Sequence, residues 1–377
     1  MIDRTNIEQR IISFRRSLHM IPELDFDLPK TRDFLLTVLD PLGFEIRDLG
    51  EAGFSVFIDA GQDETIAFRS DMDALPVTEP DGSPFRSVHE GQMHACGHDG
   101  HMSMLLGLAL TAAAGPDKMT KNCLLLFQAA EETNGGAELL CKSGVLKDYD
   151  VKNIYGIHLW PGGTENTVSC RPCEFMAGMS VLEIKIQGKQ AHIANYMKGI
   201  DALEAGCTFV SRAYELEKTL PPEIFRLLRF GQFSSGTANN VLSGYTSLVG
   251  TVRTYNSDTF EYLIDGLNTI KTNIEEETGV NITIEYTDGY PPVINPPDLY
   301  EQTRDTLTEA GFAWKEQEKP SLHAEDFAFY QKELSGLYMY LAMGEGARLH
   351  SPEYEMNESV LITGTELMWT LLTSRNQ

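Results

Sequence analysis

Near residue 179 the hydrophobic period of the chain changes, and the change divides it into two kinds of structure. Upstream, short apolar runs such as 65–69 and 123–127 alternate with helical patterns such as 99–114. Alternation of that kind predicts a mostly parallel sheet flanked by helices. Downstream, 179–187 alternates like a half-exposed strand, 199–219 reads as a helix, and 225–233 and 245–255 read as strands. A second helix over 259–278 and a strand over 281–286 complete the order βαββαβ, the split ferredoxin-like arrangement. The breaker-rich stretch Gly289-Tyr290-Pro291-Pro292-Val293-Ile294-Asn295-Pro296-Pro297 reads as the return linker. Helical patterns near 298–310 and 358–374, around an apolar run at 337–343, then complete the outer domain. The predicted class is α/β: an outer, mostly parallel-sheet domain over 1–178 and 291–377, with an inserted α+β domain over 179–290.

Two domains also suit the composition, because 377 residues are long for one core and 42% hydrophobic residues can fill two. The 55 acidic against 30 basic side chains give a formal charge of −25, a surface that repels phosphate backbones and anionic lipid. Nucleic acid and membrane are therefore excluded as expected partners. Met1-Ile2-Asp3-Arg4 does not open a signal peptide, and the apolar stretch 102–115 is too short to span a bilayer, so a cytoplasmic location is expected. Six scattered cysteines do not form a disulfide framework; each reads as a buried thiol or a ligand.

The densest chemistry lies in His94-Ala95-Cys96-Gly97-His98-Asp99-Gly100-His101, just before a helix. A polar loop with one buried thiol and a capping Asp99 is the bland alternative. In an irregular loop, however, Cys96 and His98 can converge on one ion, and thiolate with imidazole favours a transition ion over Mg²⁺ or Ca²⁺. The apolar run 124–128 leads directly into Glu131-Glu132 and Gly135-Gly136. In an extended segment adjacent side chains point apart, so one carboxylate can bind metal while the other faces the reacting water. His158 and His350 likewise follow apolar strand-like runs. Sites in open α/β sheets form outside the carboxyl ends of the strands, where all these residues would gather. Asp71 and Asp73 belong to the same set, as further ligands or as partners that hold an imidazole's tautomer.

With these motifs in hand, the chain resembles the aminoacylase and indole-acetyl-amino-acid hydrolase branch of the zinc amidohydrolase and peptidase family. The resemblance runs over nearly the full length. It includes Arg16-Ser17-Leu18-His19, Asp71-Met72-Asp73-Ala74-Leu75-Pro76, the 94–101 cluster, Glu131-Glu132, Gly156-Ile157-His158, Gly250-Thr251-Val252-Arg253-Thr254, Ala324-Glu325-Asp326-Phe327 and Leu349-His350-Ser351-Pro352.

By position, the resemblance implies that Cys96, His98, Glu132, His158 and His350 are metal ligands and that Glu131 is the general acid/base. It implies two divalent transition-metal ions per subunit (zinc, manganese, nickel or cobalt), with the thiolate between them. The implied reaction is removal of an acyl group from a small-molecule N-acyl amino acid by metal-activated water. The inserted domain is implied to be a lid that also forms a homodimer, with His192 and Asn240 contacting substrate.

Departures from the family pattern lie mainly in the inserted domain. Gln190-Ala191 precedes His192 and Ile193-Ala194-Asn195-Tyr196 follows it, in place of glycines and small residues, which suggests an altered substrate choice or loop path. His323 stands where a small residue is common. Cys170-Arg171-Pro172-Cys173 lacks a second CxxC and reads as two ordinary thiols. N-acetyldiaminopimelate deacetylase, of the same branch, and a dipeptidase are the alternative activities. A binding homologue with decayed chemistry is disfavoured by the retention of Glu131 and all five candidate ligands.

Overall fold

Seven consecutive buried positions in Thr65–Asp71, and seven more in Asn122–Gln128, leave neither strand a solvent face. Strands of that kind belong in the middle of a sheet covered on both sides. A computed structural model, which describes residues 4–133, 135–287, 289–346 and 348–375, places them there. The chain divides into two compact units: Met1–Phe175 with Ile294–Lys319 and Asp326–Gln377, and Met176–Val293 with Pro320–Glu325.

The first unit is built on an eight-stranded mixed sheet in the order Glu45–Asp48, Gly53–Ile58, Asn122–Gln128, Thr65–Asp71, Val151–Trp160, Ser335–Ala342, Thr167–Cys170, Ala313–Glu316. Its middle four strands, from Asn122–Gln128 to Ser335–Ala342, are mutually parallel. Antiparallel pairings bring in the flanking strands Gly53–Ile58 and Thr167–Cys170. The parallel sheet expected from the strand–helix alternation is thus the centre of a mixed one. The helix His98–Ala114 is buried from His98 to Ala112, so it has no polar stripe and is packed on nearly all sides. Asp71 pairs with Gln128 and His158 with Tyr340, so the carboxyl ends of the central strands lie level with one another.

The second unit follows the order βαββαβ: Gly178–Gln187, Ala202–Thr219, Arg226–Ser235, Tyr245–Thr254, Ser257–Thr278 and Asn281–Tyr286. Its four strands form one antiparallel sheet. Alternate residues Leu182, Ile184 and Ile186 join Leu248 and Val252 against Phe209, Ala213, Leu263 and Ile274 of the two helices. Helix starts are capped by Asp201, which accepts from the amides of Leu203 (2.9 Å) and Glu204 (3.3 Å), and by Asn256, which accepts from Thr259 (2.9 Å). The helix predicted over 199–219 starts instead at Ala202, where Asp201 caps it, and a short 3-10 segment, Ile193–Lys198, precedes it. Pro320–Glu325 joins this unit through a bridge of Ser321 to Met176 and through bonds from Arg253 and Tyr255 to the carbonyls of Leu322 and Ser321. Among the described residues no helix is long and apolar enough to cross a membrane.

Candidate metal centre

Gly97 adopts φ +96°, a left-handed conformation that separates Cys96 from the start of the helix at His98. A Cβ on Gly97 would stand 2.7 Å from the Tyr354 hydroxyl, so the reversal is tightly packed as well as twisted. It brings Cys96 and His98 together with His158, whose ligand atoms all lie within 4.8 Å of one another. Cys96 Sγ lies 3.4 Å from His158 Nε2. The same sulfur belongs to a second group of that size with Glu132 and His350, and His98 groups also with Glu131 and Glu132. All six residues singled out from the sequence are therefore gathered at the carboxyl ends of the central strands, with Cys96 common to two groups.

Ring orientation is fixed by backbone acceptors. His98 Nδ1 lies 2.8 Å from the Asp73 carbonyl and His158 Nδ1 lies 2.7 Å from the Leu159 carbonyl, so each donates there and leaves Nε2 as the nitrogen that can face an ion. His101 differs. Its Nδ1 meets Asp71 Oδ1 at 2.7 Å and its Nε2 accepts the Leu159 amide at 3.0 Å, so both nitrogens are used and no lone pair remains for an ion. Asp71 and Asp73 thus act as partners that hold the imidazoles.

Glu131 and Glu132 do not lie in an extended segment, as the sequence suggested, but in a turn beyond the strand. Ala130 takes φ +54° just before them, and Gly136 closes the turn so tightly that a Cβ there would stand 1.8 Å from the Ala129 carbonyl. The two side chains are separated by this turn and not by strand alternation. Buried Asp73 holds it: Oδ1 accepts from the Glu131 amide and Oδ2 from the Glu132 amide, each at 3.0 Å.

The donor atoms fit a cation. His98 Nε2 and Glu132 Oε1 are buried without a hydrogen-bond partner, although Glu132 Oε1 lies 3.2 Å from His350 Nε2 and 3.8 Å from His98 Nε2. Burial alone would push His98 down, but Asp71, Asp73 and Glu132 drive it up to about 10. Burial pushes the Cys96 thiol well above its usual range, and Glu132, Glu131 and Asp71 push it further. Burial, with His101 beside it, holds His158 neutral. An excess of buried negative charge around sulfur and imidazole donors is what a bound transition ion would neutralise.

The remaining sequence candidates belong to other elements. His192 and Asn240 belong to the second unit, where both are exposed; Ile193 donates its amide to the Asn240 carbonyl (3.0 Å) and His192 bridges Val241. His323 Nδ1 meets Ser321 Oγ at 2.8 Å. Cys170 and Cys173 are both free thiols, the first buried and the second exposed. Sequence reading gave no role to Arg69, which bonds Asp71, Gln128 and Asp326, nor to Arg15, which pairs with Asp99. Only their presence inside or beside recognisable motifs marked them.

A model of peptidase family M20/M25/M40 matches residues 67–374. The chain belongs to that family. The chain is accordingly an M20-family hydrolase. It is 32% identical over 370 residues to N-acetyldiaminopimelate deacetylase of Shouchella clausii, covering 97% of this chain and 98% of that one. It is 30% identical over 373 residues to an uncharacterized hydrolase of Staphylococcus aureus, covering 97% of each. Among solved structures, the Bacillus subtilis YXEP protein, described as a dinuclear metal-binding peptidase of family M20, matches with TM-score 0.86 and 26% identity over 98% of each chain. A protein from methicillin-resistant Staphylococcus aureus matches with TM-score 0.91 and 31% identity, over 99% of this chain and 98% of that one.

Proposed function

We propose that this M20-family hydrolase removes the acyl group from N-acyl amino acids, with two transition-metal ions held by Cys96, His98, Glu132, His158 and His350. The observation that carries the reading is the sharing of Cys96 between two donor groups, one with His98 and His158 and one with Glu132 and His350. When bound, ions of this kind polarise a carbonyl and lower the pKa of water toward neutrality. Glu131, in the same turn as Glu132, takes the proton from the attacking water and delivers it to the departing amine. Asp73 fixes the position of that carboxylate by holding its backbone amide. The reading also assigns substrate contacts to His192 and Asn240, homodimer formation to the unit that carries them, and a cytoplasmic location.

Relatives named N-acetyldiaminopimelate deacetylase, at 32% and 31% identity over 97% of the chain, favour a second reading in which the substrate is N-acetyldiaminopimelate. One experiment tests both. A pooled panel of N-acyl amino acids that includes N-acetyldiaminopimelate is incubated with enzyme loaded with zinc, manganese, nickel or cobalt, and with chelator, and products are read by mass spectrometry. Metal-dependent release of one free amino acid supports the reaction and names the substrate. No release with any metal sinks it.

A further inference from the structure

Arg69 is 6% exposed, and its guanidinium bonds the buried side chains of Gln128, Asp71 and Asp326. Nε donates to Gln128 Oε1, Nη1 to Asp71 Oδ2 and Nη2 to Asp326 Oδ1, each at 2.8 Å. Asp326, fully buried, spends its second oxygen on two donors: Gln128 Nε2 at 2.7 Å and the Ala137 amide at 3.0 Å. Gln128 ends the strand that leads into Glu131-Glu132, and Ala137 lies in the first turn of the helix that leaves them. One carboxylate therefore grips both flanks of the turn, while Asp73 grips its middle.

The other arm of Arg69 leads toward His158. Asp71 passes the connection to His101, and His101 accepts the amide of Leu159, the neighbour of His158. We infer that the Arg69–Asp326 pair is the positioning element of the metal centre: it holds the Glu131/Glu132 turn and the strand end bearing His158 at a fixed separation. Neither residue belongs to the proposed ligand set, although Asp326 groups with Glu131 and Glu325 within 4.8 Å. They act through Gln128, the Ala137 amide, Asp71 and His101, and carry no chemistry of their own. Outer-shell groups of this kind set ligand geometry, and losing them typically weakens metal binding about 10–100-fold.

The inference rests on the metal-ligand reading above. Its test uses full-length protein and cobalt(II), whose visible bands report ligand geometry and whose near-ultraviolet band reports the Cys96 thiolate. Removing one partner would leave a buried unpaired charge, so the informative variant is the double one, Arg69→Met with Asp326→Leu; apolar replacement of a buried pair is often tolerated, and Asp71, which also loses Arg69, keeps His101 at 2.7 Å. The double variant is expected to fold with a lowered melting temperature, because Asp71, Gln128 and the Ala137 amide each lose a partner, and to give up cobalt to a competing chelator at about tenfold lower chelator concentration, with shifted visible bands. Gln128→Met, which keeps the ion pair and removes one flank of the grip, is expected to show a smaller loss in the same direction and carries the test if the double variant does not fold. Parent-like affinity and spectrum in a folded double variant, or in Gln128→Met when the double variant does not fold, overturns the inference. A parent protein that binds no cobalt, or whose Glu132→Ala variant binds it unchanged, overturns the ligand reading instead, and the two failures are thereby distinguished.

Discussion

The sulfur of Cys96 lies 3.4 Å from Nε2 of His158, although 62 positions separate the two residues in the chain. The contact joins a loop that precedes a helix to the end of a central strand, and a left-handed glycine at 97 makes it reachable. Replacing the thiol should therefore strike both halves of the centre at once. Cys96→Ala is expected to lower metal content below that of any variant outside the donor set, by more than the ~10–100-fold typical of an outer-shell loss. Metal analysis after dialysis measures it; parent-like content would remove Cys96 from the ligand set.

Glu131→Gln should behave differently, because no proposed ligand is lost. Metal content is expected to stay at the parent level while turnover falls by about 10²–10⁴, the usual contribution of a positioned proton carrier. Steady-state assays beside metal analysis on one preparation check the pair of outcomes. Substantial residual turnover would deny Glu131 that role.

Asp73→Ala removes the acceptor of two backbone amides in the turn. Both amides are then left without that partner, and Glu131 and Glu132 lose their common anchor. Metal affinity is expected to fall about 10–100-fold. Competition with a chelator measures the change, and unaltered affinity would show that the turn holds itself.

A pH effect is expected on stability through His19. Burial pushes its pKa down, but hydrogen bonds to Asp99 at 2.7 Å and Glu79 at 3.3 Å outweigh that and raise it above 6.5. Arg15, which also pairs with Asp99, opposes the rise without cancelling it. With the folded value above the unfolded one, the stabilisation is complete below about pH 6.5 and is lost as pH rises through the folded value. The difference in melting temperature between the parent and His19→Asn should accordingly be largest in mild acid and shrink toward alkaline pH. A gap that widens with pH would contradict the assignment.

The gathering of the six proposed site residues was legible because their types are rare together: thiol, imidazoles and paired carboxylates after strand-like runs. The βαββαβ order was legible because each of its elements has a clear period. What escaped was through-space pairing. Arg69 and Asp326 are 257 positions apart, and nothing in either neighbourhood announces the other. The turn at Glu131-Glu132 escaped too, because Ala130 gives no local sign that its φ is positive; surrounding bonds impose that conformation. The antiparallel flank Gly53–Ile58 was likewise hidden, since a buried strand shows the same apolar run in either direction.

The strand Ser335–Ala342 pairs along Val151–Trp160, yet the whole second unit is encoded between them. On the ribosome, therefore, Cys96, His98, the two glutamates and His158 emerge well ahead of the strand that flanks them and of His350. A nascent chain halted in that interval presents Val151–Trp160 as an open edge, the kind of surface on which chaperones act and from which aggregation starts. The proposed donor set, which includes His350, is accordingly complete only after Ser335–Ala342 has been made.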